Sequence, residues 1–189
     1  MRRGVGTAWA GAALCVACSG STSTLGPGVG SASVSGTAGG APLAVTDEVA
    51  FVGTGMENGV TQAYAGVFIT NVAGTCGILQ RGANPPSLQM LQIAVGAPGS
   101  TVTAGSYALG SSTTSTASAL FQAEDATCTP TTNEQASSGT ITLSSVDGST
   151  VKGSFDLTFA NGDHLTGSFS APVCDASLAG SSDNPTCGN

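Results

Sequence analysis

The chain has 189 residues, only 8% of them charged, with eleven acidic side chains against four basic ones, a single histidine and a formal net charge of −7. Two of the four cations, Arg2 and Arg3, stand at the N-terminus, leaving Arg81 and Lys152 for the rest. That balance repels phosphate backbones and anionic head groups, so it excludes nucleic acid as a partner and leaves charge no part in membrane attachment. Gly, Ser, Thr and Ala dominate, a composition with few strong helix formers and many residues at home in strands and turns, so helix is not expected.

In chain order, Arg2 and Arg3 are followed by an apolar, small-residue run from Val5 to Ala17 and then by Cys18. A charged start, a short apolar stretch and a small residue before a cut site mark a secretory signal over residues 1–17. A spanning helix needs about twenty apolar residues, and this run ends sooner. Leu14-Cys15-Val16-Ala17-Cys18 resembles the lipobox of bacterial lipoproteins, with Cys15 where that family usually carries Leu and Leu14 one step earlier. The resemblance implies that Cys18 is acylated, palmitate included, and becomes the new N-terminus. Ser19, standing where Asp would signal inner-membrane retention in that family, implies the outer membrane, facing the periplasm or the cell surface. The lipid anchor is then the only membrane contact.

Residues 18–44 follow as a linker: from Ser19 to Leu43 the text SGSTSTLGPGVGSASVSGTAGGAPL has no charge, no aromatic and no burying periodicity. A Gly/Ser coil of about 25 residues spans on the order of 25 to 30 Å, enough to hold a domain clear of head groups. A β domain is expected over 45–175, with about 145 residues from there to the end, sufficient for one core.

Its strands are read at Asp47 to Thr54, Thr61 to Thr70, Thr75 to Gln80, Leu88 to Val95, Ser106 to Leu109 and Ser115 to Glu124, with a hairpin turn at Asn58-Gly59. The clearest stretch is GTITLSSV, Asp147-Gly148, TVKGSFDLTFA, Asn161-Gly162-Asp163 and HLTGSFSAPV. Asp-Gly and Asn-Gly suit the type I′ turns of tight hairpins, so three antiparallel strands are expected. Val151, Gly153, Phe155, Leu157 and Phe159 should face the core, as should Leu165, Phe169 and Ala171. Lys152, Ser154, Asp156, Thr158, His164, Thr166, Ser168 and Ser170 should face water. The expectation is an all-β fold, an antiparallel β-sandwich of about nine strands, with a meander β-barrel as the alternative.

Six cysteines fall to four once Cys15 goes with the signal and Cys18 takes lipid: Cys76, Cys128, Cys174 and Cys187. An even count in an oxidising compartment, without the close spacing of a zinc site, reads as two disulfides and no metal. Counting strand reversals places Cys76 beside Cys128, so Cys174 should close the tail, residues 176–189, through Cys187.

Chemistry-bearing motifs are few. Ser149-Thr150-Val151-Lys152 and Ser182-Asp183-Asn184 resemble the S-x-x-K and S-D-N of penicillin-binding enzymes, but here the lysine enters a strand instead of following the serine by one helical turn. His164, beside Asp163, is the one candidate base for a Ser-His-Asp system, without a G-x-S-x-G elbow. Asp47-Glu48 and Glu124-Asp125 are adjacent pairs that diverge if extended. Acidic loops at Asp147, Asp163 and Asp183 lack the D-x-D-x-D spacing of a calcium site. Gly53-Thr54-Gly55 has the wrong spacing for a dinucleotide turn. The reading is therefore a non-catalytic, cofactor-free binding or structural lipoprotein with a protein partner in the envelope. A hydrolase on an all-β scaffold, or a small-molecule carrier if a barrel lumen is open, are the alternatives.

Overall fold

The structure, a computed structural model, describes residues 30–57, 59–99, 101–112, 114–175 and 187–188; the segment read as a signal, Cys18 and nearly all of residues 176–189 lie outside them. Ten strands and one helix follow in the order β1 (Ser33–Gly36), β2 (Asp47–Glu57), β3 (Val60–Thr70), α1 (Thr75–Arg81), β4 (Gln89–Pro98), β5 (Gly105–Ala108), β6 (Gly110–Ser111), β7 (Thr116–Glu124), β8 (Pro130–Val146), β9 (Thr150–Phe159) and β10 (His164–Pro172). Every ladder between these strands is antiparallel, and the hydrogen-bonded path runs β1-β10-β9-β8-β7-β4-β3-β2.

Two layers arise because β8 is long enough to serve both. Leu120 to Glu124 of β7 pair with Pro130 to Gln135 at its start, whereas Ala136 to Val146 pair with β9. Register shifts at Ala136/Ser138 and at Leu143/Ser145 mark where β8 bends. Gly139, at φ +139, sits in that bend, and a Cβ there would meet the Asp156 carbonyl oxygen, so only glycine fits the close approach. Inward side chains of both layers interdigitate: Val67, Ile69, Leu91, Ile93, Val95 and Phe121 from one, Ile141, Val151, Leu157, Phe159 and Leu165 from the other, all at most 1% exposed. At the far ends, Ala50 of β2 makes one isolated parallel bridge to Val173. The sheet is thus not closed into a barrel, and the volume a lumen would need is filled by side chains.

The strand faces expected for β9 and β10 are those observed. Val151, Phe155, Leu157, Phe159, Leu165, Phe169 and Ala171 are buried, and Lys152, Ser154, Asp156, His164 and Ser168 are exposed. Phe155 stands opposite Gly167 and Phe169 opposite Gly153. In each pair the ring occupies the space that a glycine side chain would have claimed.

Several expectations are corrected. The stretch read as linker is folded from residue 30: β1 pairs with β10, and Ala38 and Leu43 are in the core. A backbone ladder needs no apolar periodicity, which is why composition hid it. Thr75 to Gln80 is a helix rather than a strand. It ends at Gly82 (φ 60), where Gly82 N–H donates to the Leu79 carbonyl and Ala83 N–H to the Ile78 carbonyl, a Schellman arrangement. The type I′ expectation fails at both C-terminal hairpins. Asp147 instead binds the Ser149 and Thr150 amides, with no positive φ at Gly148, while Gly162 alone is left-handed (φ 91) in a longer loop. Of Asn58-Gly59, Gly59 has φ 78 and Asn58 lies outside the described residues.

The disulfide pairing is also corrected. Cys76 bonds Cys174 and Cys128 bonds Cys187, with Cα separations of 5.7 and 5.6 Å. Strand counting failed because Cys76 lies on a helix, which does not reverse the chain as a strand would. Cys174 leaves β10 along the β2 edge, its N–H donating to the Ala50 carbonyl at 2.8 Å, and so reaches α1 instead of the tail.

Candidate functional site

The residues singled out from the sequence do not converge. His164 Nε2 lies 2.8 Å from Asp156 Oδ1, not on Asp163, and the two side chains are 51% and 66% exposed on the outward face of the β9–β10 ladder. Asp163 is engaged elsewhere, accepting from Thr37 Oγ1 at 2.8 Å and from the Gly40 amide at 2.7 Å. Those bonds, the Gly40 amide foremost and then the Thr37 hydroxyl, hold its carboxyl below the usual carboxylate range. Ser149 donates to Asp147 Oδ1 at 2.7 Å and Lys152 points to solvent, so the S-x-x-K segment is a turn and a strand start. Ser182, Asp183 and Asn184 lie outside the described residues. No group of three or more His, Cys, Asp or Glu side chains among the described residues is placed to hold a metal ion.

A different place gathers polar groups around a space. A cleft of about 500 Å³ opens at one end of the sandwich, lined by Ala38, Gly39, Ala41, Asn71, Ser87, Gln89, Phe121, Ala123, Glu124, Thr131 and Thr132. Its floor is the end of β7, where the register with β8 slips between Ala123 and Glu124 so that Thr131 is the unpaired residue. The Thr131 hydroxyl donates to the Ala123 carbonyl at 3.1 Å and holds that bulge. Bulges locally disrupt a ladder, and Glu124, the last residue of β7, sits beside this one. Glu124 Oε2 is buried and has no hydrogen-bond partner among the described residues.

One wall is the start of β4, fixed by Asn71. The Asn71 amide donates to the Ser87 carbonyl at 2.9 Å and its side-chain oxygen accepts from the Gln89 amide at 2.7 Å. Ser87 is left-handed at φ 57, as is Cys128, and both donate their backbone N–H to the Asp125 carbonyl, at 2.8 and 3.0 Å. A left-handed serine or half-cystine persists only where surroundings over-determine it. Here the surroundings are the Asp125 loop and the bridge to Cys187. Asp125 Oδ1 accepts from the Thr127 hydroxyl and from the Thr127 and Thr129 amides, which keeps its carboxyl low.

The opposite wall is a hairpin in the segment read as linker. Ala38 and Ala41 exchange backbone bonds of 3.0 and 3.2 Å around Gly39 and Gly40, at φ 61 and 75, as a type I′ turn requires. Asp163 pins that hairpin through Gly40 and Thr37, and Asn161 ties Asp163 to Glu134 with bonds of 3.0 Å to each. Sequence reading missed the whole assembly. The Gly39-Gly40 dipeptide was the signal that could have found its outer wall.

Glu48 is a second carboxylate with an unpaired oxygen. By the alternation of β2 it points inward, opposite Ile69, and is 2% exposed beneath Gly30. Burial, and then the neighbouring Asp47, push its carboxyl up, opposed by the backbone amides of Ser170, Ala32 and Ser31. Its partner in sequence, Asp47, turns the other way and accepts from the Thr75 amide at 2.8 Å at the start of α1.

Comparison of the chain with protein-family models, with curated proteins and with solved structures found no match.

Proposed function

We propose that the protein is a lipid-anchored module of the cell envelope, acylated at Cys18, which binds a ligand or partner without transforming it. The observation that carries the extracytoplasmic part is the pair of disulfides, because bridges closing long loops persist in oxidising compartments. The lipobox resemblance of residues 14–18 supplies the anchor and supports an outer-membrane destination. The cleft beside Glu124 supports the binding part: a concave site with an amide, hydroxyls and one carboxylate can orient a polar ligand. The His164–Asp156 pair is the feature on which a hydrolase would be argued, but it stands on an open ladder, over half exposed, where water competes for every bond.

Metabolic labelling with palmitate tests the anchor. The wild type should take label and sediment with membranes, and Cys18→Ser should do neither. Label in both, or in neither, overturns the reading.

A further inference from the structure

We propose that the cleft takes a small hydroxylated ammonium compound, an amino alcohol or amino sugar, with Glu124 as counter-charge; this rests on reading the cleft as a binding site. Glu124 lines the cleft; its Oε2 is buried without a partner, and its Oε1 accepts no hydrogen bond among the described residues, which leaves Oε1 for a ligand. A carboxylate stripped of part of its water and given no protein donor is a group in want of one. An ammonium answers it best, because charge-assisted bonds are roughly twice as strong as neutral ones. Among the described residues nothing basic competes for the place. Arg81 closes α1 and Lys152 lies near the start of β9, and neither lines the cleft.

The remaining lining selects the rest of the ligand. Asn71 and Thr131 are already committed to backbone partners. The side chains of Gln89, Ser87 and Thr132 make no hydrogen bond among the described residues, and they offer one amide and two hydroxyls to ligand hydroxyls. Phe121 on the floor is 1% exposed, so no ring is presented for flat stacking and recognition falls to these polar groups. A space of about 500 Å³ suits a single sugar ring with its water. The walls are fixed in advance by the Asp125 loop, the Asn71 bridge and the Asp163 clamp, so little ordering cost attends binding.

The test uses three probes alike in shape and different in charge: glucosamine, glucose and glucuronate. Each is titrated into the detergent-solubilised mature protein while the amide resonances of Gln89, Glu124 and Thr132 are followed by NMR. Glucosamine should bind at least about tenfold more tightly than glucose, and glucuronate should not bind. Glu124→Gln should erase the preference. The wild-type comparison stands alone if that variant fails to fold. Equal midpoints for glucosamine and glucose would overturn the ammonium assignment and leave the cleft a binding site. Resonances unmoved by all three probes would overturn both.

Discussion

Cutting the bridge between Cys76 and Cys174 is the sharpest test of how this fold is held. The two residues are 98 apart in sequence, and closing a loop of that size removes about 4.7 kcal/mol of entropy from the unfolded chain. The second bridge, with a separation of 59, contributes about 4.2 kcal/mol on the same basis. The loops overlap between Cys128 and Cys174, so either bridge already restricts part of what the other closes, and the values do not add. Cys76→Ala/Cys174→Ala should therefore lose about 3 to 4.5 kcal/mol, a large share of a typical domain's stability. Urea unfolding followed by circular dichroism measures this as a fall in midpoint. A thiol count on the same sample checks the pairing. If Cys76 bonds Cys174, the double variant keeps its other bridge, and neither Cys128 nor Cys187 reacts as a thiol. If Cys76 bonded Cys128 instead, two thiols would appear. Two free thiols, or a midpoint lowered by less than the equivalent of about 1 kcal/mol, would refute the reasoning.

Glu48→Gln should stabilise the protein near neutral pH by on the order of 1 kcal/mol, since it removes a buried charge whose ionisation burial disfavours. Because the Glu48 carboxyl is raised in the folded state, the wild type should lose stability as pH climbs from 4.5 through the higher folded value, and the variant should not; urea midpoints from pH 4 to 7 would show parallel curves if this is wrong. Asp147 is held down to about 2, first by the Ser149 hydroxyl, so its contribution is present above 3.8 and is lost as pH falls toward 2; acid titration of Asp147→Asn should lack that component. Phe155→Ala, which empties the space over Gly167 as well as the core, should cost about 3 to 5 kcal/mol by chemical denaturation. His164→Ala should change stability by less than about 0.5 kcal/mol in the same assay, because its pairing with Asp156 is open to water.

The strands were legible wherever apolar residues alternate over a two-sided ladder. Leu91, Ile93 and Val95 on β4, and Phe155, Leu157 and Phe159 on β9, write their buried face in period two, and the structure buries them. Illegible parts have other physical causes. The four residues of β1 are held by backbone pairing to β10, and Ser-Val-Ser-Gly reads the same in a ladder or a coil. The first half of β8, from Pro130 to Ser138, is polar because both layers meet there and neither buries it deeply. Helix α1 is a seven-residue cap on the outer side of β2, too short for a 3.6-residue period to declare itself, and Gly82 was its one sequence mark. The cleft was invisible for a related reason: its lining comes from segments around residues 38–41, 71, 87–89, 121–124 and 131–132, and nothing in linear text states that these meet.

The cleft and the bend in β8 have one origin. A strand of 17 residues that leaves one layer for the other cannot pair fully with both neighbours, so β7 pairs with it only from Leu120 to Glu124, against Pro130 to Gln135. β5 takes up the pairing at Thr140 to Leu143, where β7 no longer reaches. The opposite end has no such strand to fill it. There the N-terminal hairpin at Ala38 to Ala41 lies across the gap, tied down by Asp163, and the space it leaves uncovered is the cleft. Breaking the Asp163 clamp should thus widen the cleft without unfolding the sandwich, since Asp163 touches only the hairpin and its own turn. The core of Phe121, Phe159 and Leu157 stays shut.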